Sequence, residues 1–335
     1  MKFLITIDTE ADNQWARRTS VEVRNIRYIP RFQELCDQYG FKPTYLTSYE
    51  MADSQEFIAT VGPYQDQQRA EIGAHLHPWT TPPFDQLTEN DAQHHPFPYE
   101  YPQETLARKL EALTDIIEQN TGKRPVTFRA GRYGFDGKVM KILENLGYIA
   151  DCSVTPLVSW KKIMGNPKGR GGPDFTTAPA EPYFPDYGDC NRKGHSRLLE
   201  VPISIFFLNW SGFNRLFRMV KRVAHDPANI ILRGLYRMNY RPFWFRPHPD
   251  SQVEHFRQLY RTAQRTGVNY VEMMFHSSEL MPGGSKNTRD EQAVEQLYRV
   301  FTEIFDFLKH EQVESQTLTE YAQSWIQQRT TGDVS

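Results

Sequence analysis

The stretch LEALTDIIEQNTGKRPVTFRAG, residues 110–131, changes its periodicity across one glycine. Before Gly122, Leu106, Leu110, Leu113 and Ile117 recur every three or four residues, the apolar stripe of a helix. Gly122 stands where that helix needs a left-handed residue to stop, a conformation that costs glycine little. Beyond Pro125 the chain is short, apolar and β-prone, and it ends on Arg129. The same succession of helix, glycine and strand recurs at 31–48, 140–153 and 256–276, with stops at Gly40, Gly147 and Gly267. Strands such as KFLITI (2–7) and YVEMMF (270–275) are apolar nearly throughout, as strands covered on both faces are. These units predict an α/β protein with a mainly parallel sheet. AEIGAHLH (70–77), LLEVPISI (198–205) and PFWFRPH (242–248) bring the strands to about seven or eight. That number favours a closed or partly closed (β/α) barrel over an open doubly wound sheet.

No segment separates two cores, so residues 1–330 are expected to form one domain with insertions. One is a Gly-, Pro- and Asp-rich stretch at about 156–197, too long for an ordinary connection and read as a functional lid or a disordered excursion. The other is a basic segment at about 212–241, with seven Arg or Lys against one acid, Asp226. A basic amphipathic helix there can rest on anionic lipid or meet a phosphorylated substrate, although a solvated helix face more often explains such a pattern. Lys and Arg total 39 and Asp and Glu 41, so net charge gives no reason to expect a nucleic-acid partner. Three scattered cysteines with no CxxC spacing argue against a disulfide framework or a thiolate metal site. The opening MKFLITIDTEAD reads as a strand rather than a secretory signal, and no run approaches the roughly 18 apolar residues of a membrane span. A cytoplasmic protein is expected, peripheral at the membrane if 212–241 touches lipid.

Six strand candidates deliver a polar side chain at their carboxyl ends: Asp8 and Glu10, His75 and His77, Arg129, Asp151, Arg246 and His248, and His276. In a parallel barrel those ends converge on one face, where active sites lie. In extended chain, residues two apart point the same way, so His75 and His77 present both rings to one side, as two ligands of one ion must. A catalytic zinc takes about three protein ligands, and either Asp8 or Glu10 supplies the third. Two acids on one side of a strand also repel each other unless a cation compensates them. Arg129 is a partner of those acids or acts directly. His276 is placed for proton transfer, while Asp151 reads as structural. His94 and His95 read as a solvated loop. Trp79, Tyr133 and Trp244 sit beside the same face, although core packing explains most aromatic residues.

TIDTE, GAHLHPW, RAGRYG, ADCSVTP and MMFHSSELMPGG, in that order across residues 6–284, resemble the motifs of polysaccharide deacetylases, the NodB-homology or carbohydrate esterase family 4 group. The resemblance implies a distorted (β/α) barrel, a divalent metal, usually Zn2+, and hydrolysis of an N-acetyl group from a sugar. It makes Asp8 the catalytic base, Arg129 the arginine that orients it, His276 the general acid, and His75 and His77 the metal histidines. The family's adjacent aspartates become DTE here, leaving Thr9 at a ligand position and the metal role to Glu10. Trp79, Tyr133, Arg246 and His248 are the expected substrate contacts. The expected partner is an N-acetylated carbohydrate, lipid- or nucleotide-linked. A hydrolase of a non-sugar amide and an inactive carbohydrate-binding protein are the alternatives.

Overall fold

The computed structural model describes residues 1–12, 14, 21–163, 165, 171–208 and 242–332. The basic segment expected at 212–241 lies outside them. The central strand is β1 (Lys2–Thr9), buried from Phe3 onward. On one side it pairs in parallel with β2 (Pro43–Thr47), and then follow β3 (Glu71–Leu76), β4 (Thr127–Ala130), β5 (Ala150–Asp151) and β6 (Leu199–Glu200). Two short strands, β7 (Ile205–Phe206) and β8 (Phe243–Trp244), form a separate antiparallel ribbon. On its other side β1 pairs with β9 (Tyr270–His276), and β10 (Glu314–Ser315) flanks only its first two residues. Among the described residues, β1 to β6 and β9 thus form seven parallel strands that curl into a half-barrel, and the two-residue β10 is an eighth.

The seam between β6 and β9 is bridged by the chain around the ribbon. Glu272 N–H donates to Ser204 Oγ (2.9 Å), Met274 N–H donates to the Phe245 carbonyl (3.2 Å), and the Tyr270 hydroxyl donates to the Pro202 carbonyl. Two sequence expectations change here. LLEVPISI is two strands rather than one, because Pro202 cannot donate to a ladder. PFWFRPH is a two-residue antiparallel strand, so Arg246 and His248 reach the rim from the ribbon and not from a barrel strand.

Helices α1 (Ile29–Tyr39), α2 (Tyr49–Ala52), α3 (Gln55–Asp66), α4 (Asp91–His94), α5 (Gln103–Thr121), α6 (Gly137–Asn145), α7 (Val253–Thr266), α8 (Glu291–His310) and α9 (Leu318–Gly332) accompany the sheet. The predicted stops hold: Gly40, Gly122, Gly147 and Gly267 all have positive φ, between 69° and 88°. The predicted stripe holds as well, with Leu106, Leu110, Leu113 and Ile117 of α5 fully buried. Behind β1 and β9 the core is aromatic: the Phe32 ring of α1 meets Phe275 at 4.9 Å and Phe301 of α8 at 5.0 Å, edge to face. No helix among the described residues is long and apolar enough to cross a membrane.

The strands of this sheet all run the same way, and Asp8 lies level with His276 in the β1–β9 register and His75 level with Arg129 in the β3–β4 register. The scaffold's stability rests on the burial that fixes these registers. Leu110→Ala, in the α5 stripe, is expected to cost about 2–5 kcal/mol in urea denaturation. Glu111→Ala, at the exposed next position, should stay within about 0.5 kcal/mol.

Candidate active site

Glu10 follows the last residue of β1, His75 lies near the end of β3, and His77 follows its last residue. His77 Nε2 lies 2.6 Å from Glu10 Oε2, His75 Nε2 lies 3.3 Å from it, and the two ring nitrogens are 3.2 Å apart. All three side chains are buried, and their ligand atoms lie within 4.8 Å of one another. His75 Nδ1 is 3.0 Å from the Arg129 carbonyl, which only accepts, so Nδ1 carries the hydrogen and the neutral ring keeps its lone pair at Nε2. His77 Nδ1 has no hydrogen-bond partner among the described residues, so this ring's polar contacts lie on the Nε2 side. A carboxylate and two imidazoles aimed at one buried point need positive charge between them. Two nitrogens and one oxygen suit zinc, so the residues present fit a divalent metal.

Local backbone allows this approach. A Cβ at Gly131 would collide with the Leu76 carbonyl and the His77 ring, so only glycine lets β4 turn away beside the histidines. Next to it Arg132 and Tyr133 both hold positive φ, 56° and 58°, an uncommon conformation for residues with side chains that turns Tyr133 into the cavity wall. Thr9, at the position of an expected ligand acid, donates its hydroxyl back to the Ile7 carbonyl (2.9 Å).

Arg129 is wholly buried and all its nitrogens are engaged. Nη1 donates to Asp8 Oδ1 (2.6 Å), Nε to the Cys152 carbonyl (3.0 Å), and Nη2 to Thr6 Oγ1 (2.8 Å) and Glu272 Oε1. Burial works to raise the Asp8 pKa, but Arg129, His75 and His276 outweigh it and hold Asp8 below the usual carboxylate range. Burial also opposes ionisation of Glu10, and the two histidines hold it well below its ordinary value. Glu272 goes the other way, raised by burial that Arg129 only partly offsets.

His276, at the end of β9, places Nε2 3.5 Å from Asp8 Oδ2 and 3.9 Å from Glu10 Oε1. Arg246 Nη2 donates to His276 Nδ1 (3.1 Å) and to Glu279 Oε2 (3.0 Å). Nδ1 also lies 3.4 Å from Glu279 Oε2, so this nitrogen accepts from Arg246 in the neutral ring and donates to Glu279 in the protonated one, while Nε2 faces Asp8. Glu279 also accepts the His276 backbone N–H at 2.9 Å, and Arg246 holds its carboxyl far below the ordinary range despite burial.

Asp8, Glu10, His75, His77 and His276 share a cavity of about 50 Å³ whose remaining walls include Phe97, Ala130, Tyr133, Trp160 and Ile163. Tyr133 and Trp160 stack at 5.1 Å, and on their far side lies a cavity of about 700 Å³. Trp160 and Ile163 belong to the long segment after Pro156, part of which therefore forms a wall of the site. Trp79 departs from expectation: its ring packs against His77 at 4.6 Å and lines neither cavity, because Pro78 turns the chain outward past the histidines. Tyr133 lines both cavities, whereas Arg246, His248 and Trp244 line only the larger. Asp151 stays outside both and accepts from Ser153 N–H and Oγ. Of the pair expected on a solvated loop, His95 is buried beside Asp91 and His94 is half-buried. Sequence reasoning passed over Glu272 and Glu279; an acid inside the otherwise apolar VEMMF was a signal for the first.

The comparisons with known proteins address the fold. No family model and no curated protein matches the chain. Among solved structures, a "putative glycoside hydrolase/deacetylase" from Parabacteroides distasonis aligns with 12% identity over 98% of this chain and 72% of that one, at a TM-score of 0.61. A "putative polysaccharide deacetylase" from Mycobacterium smegmatis aligns with 13% identity over 95% and 94%, at a TM-score of 0.46. A family 4 acetyl xylan esterase from Clostridium thermocellum, in complex with a cobalt ion, aligns with 11% identity over 96% and 89%, at 0.42. The resemblance carried by the motifs is thus borne out as a shared fold.

Arg129→Ala would leave Asp8 and Glu272 buried without their cation, and urea denaturation should show a loss of about 3–5 kcal/mol. Glu272→Gln keeps an acceptor for Arg129 and Thr6 without the burden of a buried charge. It should cost no more than about 1.5 kcal/mol in the same measurement.

Proposed function

We propose that the protein is a metal-dependent hydrolase that removes an N-acetyl group from a sugar in a glycan or glycolipid precursor. The observation that carries this reading is that Glu10, His75 and His77 aim three ligand atoms at one buried point beside the Asp8–Arg129 pair and His276. Glu10, His75 and His77 would hold the ion, and Zn2+ suits their donor chemistry. Such an ion supplies Lewis acidity, polarising an amide carbonyl and lowering the pKa of water toward ~7.

The chain's own residues supply the proton transfers. Arg129 occupies Asp8 Oδ1, which leaves Oδ2 to accept a proton as water adds to the acetamide carbon. His276 acts as the imidazolium, its Nδ1–H facing Glu279 Oε2 at 3.4 Å, and gives its Nε2 proton to the departing nitrogen as the C–N bond breaks, returning to the neutral ring. Acetate leaves, and the sugar keeps a free amine. Arg246 and Glu279 fix the His276 ring from behind, and Phe97, Tyr133, Trp160 and Ile163 keep bulk water from the reacting atoms.

Metal analysis coupled to acetate release tests this reading. Wild type should bind about one zinc or cobalt ion per chain and release acetate from N-acetylated saccharides, whereas His75→Ala and His77→Ala should lose both. His276→Ala should keep its metal and lose about 10²–10⁴-fold in turnover. A metal-free wild type that stays inactive after zinc or cobalt is added would favour a binding protein, and release from non-sugar acetamides alone would favour the other amidase reading.

A further inference from the structure

The two histidines of the metal cluster are held in different ways. His75 donates from Nδ1 to the Arg129 carbonyl, the bond that usually orients a ligating imidazole, whereas His77 Nδ1 meets no partner among the described residues. Strand pairing does not fix His77 either, because the β3–β4 register ends at Leu76 and Ala130. Apart from Glu10 and His75 at the ion position, the polar hold on His77 is its backbone. The His77 carbonyl accepts from Thr80 N–H at 3.2 Å, from the Thr80 hydroxyl at 3.3 Å and from the Thr81 hydroxyl at 2.9 Å. Thr81 is fully buried, and its own carbonyl accepts from Lys109 Nζ at 2.7 Å. The same ammonium donates to the Pro83 carbonyl at 2.6 Å.

Lys109 breaks the pattern of its helix. It stands between Leu106 and Leu110 of α5, on the face turned to the core, and is only 2% exposed. Its two bonds are to main-chain carbonyls rather than to a carboxylate, and a buried charge without an ionic partner is costly. Burial pushes its pKa down to about 8, so it carries its charge at neutral pH. An apolar residue would fill that place on the helix without this cost. What the lysine adds is an ammonium with three donors, at a turn where Pro82 and Pro83 offer no N–H.

We propose that Lys109 is a positioning residue for the metal centre, holding the turn after β3 so that the Thr81 hydroxyl fixes the His77 backbone and aims its ring at the ion. The inference rests on the metal-binding part of the reading above and on no particular substrate. Lys138 provides a comparison within the same connection. From α6 its ammonium donates to the Tyr99 and Tyr101 carbonyls, both at 2.6 Å, at the far end of the segment that joins β3 to α5.

The test uses the whole chain loaded with zinc or cobalt. Competition with a chromophoric chelator gives zinc affinity, the visible absorption of the cobalt form reports ligand geometry, and urea denaturation of the metal-free chain reports the fold. Lys109→Met, which keeps the length and removes the donors, should weaken zinc about 10–100-fold and alter the cobalt band. Thr81→Val removes one hydroxyl and should change both in the same direction. The double variant should lose less than the product of the two fold-changes, because both residues act through one carbonyl. Lys138→Met should keep zinc affinity within about twofold of wild type, with an unaltered cobalt band, whatever happens to its urea midpoint. Lys109→Met with a lowered urea midpoint but wild-type zinc affinity and cobalt band would overturn the proposal. So would losses that multiply in the double variant, or a Lys138→Met that disturbs the metal equally. A Lys109→Met chain that does not fold would overturn it too, since the lysine would then hold the core rather than one ligand. In each of these cases, zinc bound by wild type and lost on His77→Ala leaves the metal reading standing. A wild type that takes up neither zinc nor cobalt would overturn both.

Discussion

A guanidinium buried between two carboxylates ties the rim of the half-barrel together. Arg129 comes from β4, and its nitrogens reach Asp8 and Thr6 on β1, the Cys152 carbonyl just past β5 and Glu272 on β9. One positive charge faces two acids, so the two do not ionise alike. Asp8, beside the cavity, is held ionised, while burial pushes Glu272 toward its protonated form. The arrangement keeps a proton acceptor beside the cavity, while Glu272 lies deeper on the same face of the sheet, four residues before His276 on β9.

That constraint separates the two halves of the site. On one side of Asp8 lies the Glu10–His75–His77 cluster, whose lone pairs converge and whose neighbouring glycine gives the rings room. On the other side His276 is held by Arg246 and Glu279, which also line the larger cavity. The positive φ of Arg132 and Tyr133 fits the same division: a strained turn follows Arg129 and brings an aromatic ring between the two cavities.

Much of this was legible in the order of residues. The periodic stripe of α5 and the glycine stops showed where helices end, and the polar residue after each apolar run showed which side chains meet. His75 and His77, two apart on an extended strand, face one side for a reason that needs no tertiary information. The same alternation puts Asp8 and Glu10 on one face without choosing between them; Glu10 as the ligand followed from the motif resemblance, which leaves Thr9 at a ligand position. The ribbon was not legible, since PFWFRPH has the composition of a barrel strand and only pairing shows that it runs antiparallel beside the seam. Trp79 looked like a platform because it follows the histidines, but its packing against His77 depends on how the chain turns at Pro78.

Periodicity and strand alternation are local properties of a chain, so the order of residues was enough for most helices, the parallel sheet and the residues that close β1, β3, β4 and β9. Tertiary structure alone decided that Glu272, inside an apolar strand, is the second acid on Arg129, and that Trp160, from a segment without regular pattern, closes the small cavity. These contacts join residues far apart in the chain. Their existence depends on strand register, sheet curvature and the path of one loop, which no short stretch of sequence encodes.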